Sequence, residues 1–284
     1  MSTFRPVFVI GAARSGTKLL RDLIAGHPAV ERVPYDVNYI WRLGHESLNH
    51  DELLAQDLTP HQAERIRKQI AKYHSDSPLL VEKTVSNCLR VPYVKTVFPE
   101  GRLIHLVRDG RDVVESTYRQ WSAPPDWRYI TRKALSYPLL DAFGYASSYA
   151  WSIFRKQISR DKSSSGTWGP RYRGIEQDLS DKSVLEVCAI QWSRCVQAAT
   201  EDLARLPADE QLTVVYEEFV DDPETNMARI ANFLALDSVP FAAVLDGTTV
   251  SRENVGKGGR TLDRQQLDVI MPYIEDSLQM LNYA

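Results

Sequence analysis

The chain has 284 residues, 43% hydrophobic and 25% charged, enough for one large core or two small ones. A formal net charge of −3 excludes the global field that draws nucleic acid or an anionic membrane surface, so anionic ligands must be met by local clusters. The three cysteines, Cys88, Cys188 and Cys195, lack C-x-x-C spacing, which argues against a disulfide scaffold or zinc site and fits a reducing compartment.

The first element is an apolar run, Pro6–Ile10, that meets Gly11-Ala-Ala-Arg14-Ser15-Gly16-Thr17-Lys18 and then the helical pattern Leu19–Ile24. Strand, hydroxyl-rich turn and helix start form an anion cradle. Backbone N–H groups, the helix dipole and the Arg14, Ser15, Thr17 and Lys18 side chains all converge there. The loop misses the Walker A pattern G-x-x-x-x-G-K-[ST] by one transposition: Thr17 precedes Lys18, which displaces the hydroxyl that would hold Mg²⁺. Arg5 followed by Val7–Ala13 has the outline of a short signal peptide, but cleavage after Ala13 would destroy the cradle. No apolar stretch approaches the ~20 residues of a membrane span. A cytoplasmic location is expected.

Thr59-Pro60-His61-Gln62 supplies an N-cap, a first-turn Pro and a capping-box Gln, predicting a helix to about Lys72. Strand-like runs follow at Leu79–Glu82, Leu103–Val107 and Leu212–Tyr216, separated by helical patterns. With Val7–Ile10 they predict an α/β fold with a central, mainly parallel sheet and flanking helices. Arg108 ends one strand, Asp109-Gly110 turns, and a helix carries Ser116 on its second turn. Ligands of open α/β sheets bind beyond the carboxyl ends of strands, so Arg108 and Ser116 form a second anion clamp on the edge of the first. Two separated clamps point to a nucleotide with phosphates at both ends of its ribose. His105 alternates with apolar neighbours and reads as core; Arg111 and Asp112 read as a structural pair. Residues 122–173 are rich in aromatics, and Asp161–Gly166 reads as a mobile linker. Most of these rings read as core. Trp121, Trp127, Trp168 and Tyr172 are candidates to line an acceptor cleft. A long helix is predicted from Ser183 to about Leu206, another after Asp222-Pro223 to Leu234, and a last one from Leu262 to Leu281. Gly256–Arg260 reads as a basic, glycine-rich loop.

Taken together, these motifs resemble the sulfotransferases that use 3′-phosphoadenosine 5′-phosphosulfate (PAPS). The nearest branch holds tyrosylprotein, Golgi-type and bacterial carbohydrate enzymes, and the motifs lie within residues 7–120 and 212–260. The resemblance implies a P-loop NTPase-like fold over residues 1–284 as a single domain, with a helical aromatic-rich insert at about 122–180 on the acceptor side. In that family an R-S-G-T loop binds the 5′-phosphosulfate, which assigns Arg14, Ser15, Gly16, Thr17, Lys18 and Leu19. A strand-end Arg and a Ser eight residues on bind the 3′-phosphate, which assigns Arg108 and Ser116. Tyr216-Glu217 before Asp222-Pro223 matches a family stretch and adds Tyr216. Ser251, Lys257, Gly258 and Arg260 resemble the segment that closes over the donor.

Val81–Asn87 resembles the family's strand-end Lys segment, so Lys83 and Lys18 are the expected cations for the oxygen that bridges to the leaving phosphate. In the tyrosylprotein branch a Glu sits eight residues after the His-Pro that ends the first helix. Here His27-Pro28 is followed at that offset by Tyr35, with Asp36 next. Asp36 is the expected base, with Glu31, His45 and His50 in reserve. The implied reaction moves a sulfuryl group by in-line displacement to a hydroxyl of a carbohydrate, glycosylated or small-molecule acceptor. It releases adenosine 3′,5′-bisphosphate and needs no metal. The resemblance leaves room for a homodimer. An ATP·Mg²⁺-dependent nucleoside or small-molecule kinase is the rival enzyme; it predicts G-K-[ST] and a strand-end Asp, where this chain has GTK and Val107-Arg108. A non-catalytic nucleotide-binding module predicts loss of Lys83 or of a carboxylate near position 36.

Overall fold

The computed structural model describes residues 4–122 and 168–283. Five strands, β1 (Arg5–Ile10), β2 (Val30–Arg32), β3 (Leu79–Glu82), β4 (Arg102–Val107) and β5 (Gln211–Val215), form one sheet in the order β2-β3-β1-β4-β5. Every neighbouring pair runs parallel. Side chains alternate across the sheet and feed two cores. Phe8 and Ile10 join Leu80 and Leu103 in one; Val7 and Val9 join Val81, Ile104 and Leu106 in the other. Burial on both faces is why β1, β3 and β4 read as unbroken apolar runs. Strand β2 was not among the expected strands. It is three residues long and buries only Val30, too little for a periodic signal.

The helices, numbered among the described residues, are α1 (Thr17–Ile24), α2 (Asn38–Trp41), α3 (Pro60–Ala71), α4 (Val91–Val97), α5 (Gly110–Ser122), α6 (Ile175–Asp181), α7 (Val184–Leu203), α8 (Tyr216–Asp221), α9 (Pro223–Leu234), α10 (Val239–Asp246), α11 (Lys257–Thr261) and α12 (Arg264–Met280). Local chemistry sets their starts. Reciprocal capping boxes close at Thr59/Gln62, Ser183/Glu186 and Asp263/Gln266, satisfying N–H groups that the first turn leaves without partners. None of the described helices is long and apolar enough to cross a membrane.

Three expectations change. Gly256–Arg260 lies not in a loop but largely in α11, which packs on α5. Arg111 and Asp112 do not pair with each other. Arg111 meets Asp109 at 2.7 Å, and Asp112 meets Arg108 at 3.3 Å. Tyr172 is core rather than cleft wall: it is buried, and its hydroxyl donates to Asp178 at 2.7 Å. Trp168 presents its carbonyl to Gln191 at 2.9 Å, and Trp121 packs half-buried against the first core. Trp127, the Asp161–Gly166 linker and most of the aromatic insert lie outside the described residues. His105 is buried in β4, and burial pushes its pKa down to about 4, so it sits neutral in the core. All three cysteines are buried.

Candidate functional site

The sheet order sets β3, β1 and β4 side by side, so the segments leaving their carboxyl ends share one edge. After β1 the loop bends through Arg14 (φ 70°) and Gly16 (φ 93°). Glycine takes that conformation without a steric cost. Its missing side chain also makes room for Tyr216: a Cβ at position 16 would lie 2.8 Å from two ring carbons. Helix α1 starts with no side-chain cap and no acid in its first turn. Its leading N–H groups are therefore free for an external anion. Ser15 and Thr17 are buried in the cradle, and Leu19 packs half-buried against the second core.

Lys18 is not brought into the cradle. Thr17, Leu20, Leu23 and Ile24 occupy the inner face of α1, and Lys18 falls on the outer one. Its side chain is 79% exposed, with Nζ 3.9 Å from Asp22.

Beyond β4 the Arg108 guanidinium is buried and lies 4.4 Å from the Tyr216 ring centroid. Its NH1 donates to the Arg14 carbonyl at 3.2 Å. Its NH2 donates to the Asn254 carbonyl at 2.5 Å and to Asp112 Oδ2 at 3.3 Å. Its Nε is buried with no hydrogen-bond partner among the described residues. Ser116 is buried one turn along α5 and accepts from Arg14 Nε at 2.9 Å. The structure thus unites Arg108 and Ser116 and adds the Arg14 side chain to them. Desolvation, and then the Arg119 and Arg108 cations, push the Arg14 pKa below its ordinary value. A cation cluster with such mutual repulsion is a ready anion receptor.

The segment near 251–260 reaches this cluster through its backbone. Gly256 N and Gly258 N donate to Asp112 Oδ2 and Oδ1 at 2.8 and 2.7 Å. Ser251 caps the turn Arg252–Asn254 by accepting from Glu253 N at 3.1 Å. Arg260 donates to the Glu253 carbonyl at 3.2 Å, and Lys257 is half-buried at the start of α11. No contact among the described residues takes Ser251, Lys257 or Arg260 to Arg108.

At the end of β3, Lys83 is buried and its Nζ lies 2.5 Å from Asp36 Oδ1. Val85 N also donates to Asp36 Oδ2, at 3.4 Å. Of the four carboxylate and imidazole candidates, Asp36 is the one that meets Lys83. Glu31 accepts from Ser75 N and Asp76 N, His45 rests edge-on against Tyr93, and His50 is buried near the charges of Arg173, Glu52, Arg42 and Asp51.

Sequence reasoning missed a buried polar web behind this pair. Glu82 accepts from the Thr84 hydroxyl and from Asn87 Nδ2 at 3.0 Å. Asn87 in turn takes Arg90 Nε at 2.9 Å, Arg90 donates to Asn38 at 2.6 Å, and Asn38 donates to Asp51 at 3.0 Å. Desolvation raises the Glu82 pKa to about 7 and lowers that of Arg90 to about 10. A Glu closing the apolar run Leu79-Leu-Val was the available signal, since a carboxylate on a fully buried strand needs partners.

Against known proteins, the chain is 34% identical over 133 residues to an uncharacterised protein of Aquifex aeolicus, covering 41% of this chain and 17% of that one. It is 24% identical over 236 residues to a putative protein-tyrosine sulfotransferase of Caenorhabditis briggsae, covering 81% of this chain and 65% of the relative. It therefore spans less than two thirds of the length of either. Among solved structures, the fold is shared with a sulfotransferase domain from the curacin biosynthetic pathway. That likeness has a TM-score of 0.53 and 16% identity, over 100% of this chain and 99% of the other. The sequence model of the sulfotransferase family matches residues 6–158 and 154–240, most of the chain. A match of that extent, on a sheet whose edge gathers the expected segments, makes this chain a member of the sulfotransferase family.

Proposed function

We propose that the chain transfers a sulfuryl group from PAPS to a hydroxyl of a carbohydrate, glycosylated or small-molecule acceptor. The observation that carries the reading is the pair of anion receptors on one sheet edge, the 11–18 loop and the Arg108–Ser116–Arg14 cluster, with the Lys83–Asp36 pair at the neighbouring strand end. The residues fit such a donor. Arg108 keeps a buried Nε for a further acceptor, and the uncapped start of α1 offers N–H groups to a second anion.

When bound, the donor supplies a sulfuryl group already joined to a phosphate leaving group. In this reading Arg108, Ser116 and Arg14 hold the 3′-phosphate, and Gly16 with the first N–H groups of α1 holds the 5′-phosphate. Lys83 supplies positive charge where negative charge grows, a role that pays only if its contact tightens in the transition state. Asp36 takes the acceptor proton at a carboxylate oxygen, with the Lys83 ammonium 2.5 Å from that carboxylate. Lys18, directed at Asp22, has no part in the scheme. A tyrosyl phenol is the second acceptor reading, favoured by the C. briggsae relative's description.

The test is ligand-induced thermal stabilisation. Adenosine 3′,5′-bisphosphate without metal should raise Tm more than ATP with Mg²⁺, since a ligand at ~100 Kd adds about 2.7 kcal/mol to stability. Stabilisation by ATP alone, strictly dependent on Mg²⁺, would sink the reading.

A further inference from the structure

Three consecutive residues leaving β3 grip two consecutive residues of the facing loop. Lys83 Nζ and Val85 N both reach Asp36, at 2.5 and 3.4 Å, while Thr84 Oγ1 accepts from Val37 N at 2.9 Å. The Thr84 hydroxyl donates onward to Glu82, a carboxylate that is 1% exposed. Its lone pairs and its single proton are therefore committed in opposite directions. The oxygen faces the loop and the hydrogen faces Glu82. The second Glu82 oxygen is held by Asn87.

We propose that Glu82 is a positioning residue for the transfer site: through the Thr84 hydroxyl it fixes the Val37 amide, and with it the approach of Asp36 to Lys83. The inference rests on the reading of Asp36 as base, which it deepens. Strand alternation separates the two roles. Lys83 leaves β3 toward Asp36, and Glu82 turns to the other side, among Thr84, Asn87 and the Arg90 cation. Glu82 therefore does not meet a substrate; it acts on the loop that would. Val37 is also where α2 begins, its carbonyl accepting from Ile40 N at 2.8 Å. A slack Val37 amide would loosen both Asp36 and the first turn of α2. The charges close enough to bias Glu82 are Asp36, which disfavours its ionised form, and Lys83 and Arg90, which favour it.

The experiment compares Glu82→Gln, Thr84→Val and Thr84→Ser by amide hydrogen exchange at Val37 and by steady-state kinetics. Measured above about pH 8, where Glu82 is ionised, Glu82→Gln replaces one accepting oxygen by a donor, which meets either the Thr84 hydroxyl or the Asn87 amide head-on. Thr84→Val removes the relay, and Thr84→Ser keeps it. Glu82→Gln and Thr84→Val should speed Val37 exchange about tenfold at matched global stability. They should lower kcat about tenfold, while donor KM stays within about twofold. Thr84→Ser should restore both readouts. Unchanged Val37 exchange in Glu82→Gln and Thr84→Val overturns the proposal, as does a Thr84→Ser variant no better than Thr84→Val. Exchange is read without turnover, so a protein that transfers no sulfuryl group overturns the functional reading while Val37 still decides this one.

Discussion

One guanidinium, that of Arg108, ties together segments that the sequence keeps far apart. It touches the Arg14 carbonyl, the Asn254 carbonyl, Asp112 and the Tyr216 ring. On the proposed reading, removing it should abolish nucleotide binding, whereas removing Lys83 should spare binding and damage chemistry. Arg108→Ala is expected to lose the stabilisation by adenosine 3′,5′-bisphosphate, a cost of about 2–3 kcal/mol or more for a charged hydrogen-bonding group. Lys83→Ala should retain that stabilisation and lower kcat by about 10²–10³. Calorimetry and turnover on the two variants check the split; equal loss of binding in both would dissolve it. Arg108 and Ser116 were legible because their spacing is local, one strand end and the helix that follows. The outward turn of Lys18 follows from the helical phase set by Leu20, Leu23 and Ile24, which outweighs its place in a basic loop. The partners of Glu82 were not. Asn87 is five residues away, but Arg90, Asn38 and Asp51 meet only after β3, α2 and α4 have packed.

Among the elements, α11 carries the sharpest packing constraint. Gly258 sits so close to α5 that a Cβ would lie 2.2 Å from the Arg111 carbonyl oxygen and 2.7 Å from Asp112 N. These are backbone atoms and cannot step aside. Gly258→Ala should therefore lift α11 from α5, break the Gly258 N–H bond to Asp112 and destabilise the protein by about 1–3 kcal/mol. Because Asp112 also holds Arg108, the same change should weaken nucleotide binding; a variant with wild-type urea midpoint and affinity would refute the packing argument. The glycine-rich stretch reads as a loop because its composition disfavours helix. Tertiary contact overrides that: two N–H groups bind one carboxylate, and the absence of side chains is what allows the approach. The helix start at Thr59 was legible for the converse reason, since its capping partner Gln62 lies three residues on.

For the molecule as a whole, two buried titrating groups pull stability in opposite directions with pH. Between 4.5 and about 7, folded Glu82 keeps a proton that the unfolded chain has released, so its contribution falls as pH rises. Between about 4 and 6.5, the unfolded chain holds a proton that folded His105 has not taken up, so stability falls as pH drops. Over the shared window the two slopes offset. Glu82→Gln removes the first, so the variant should gain on the wild type by about 1–3 kcal/mol as pH rises from 4.5 to 7. Parallel stability curves in urea across that range would show that Glu82 does not hold its proton as argued.

The strand order has a consequence in time as well as in space. The strand that comes first in the chain, β1, lies at the centre of the sheet, and both of its neighbours are synthesised much later, at Leu79–Glu82 and Arg102–Val107. Parallel pairing across such separations is slow, because chain entropy is lost before the contacts reward it. Tyr216, which packs against Gly16 of the 11–18 loop, arrives later still, behind β5. A chain halted part-way through folding thus holds the loop without its wall and Arg108 without its stacking partner. On the proposed reading, binding of the donor nucleotide would register completed topology, and by mass action it would draw late intermediates toward the native state.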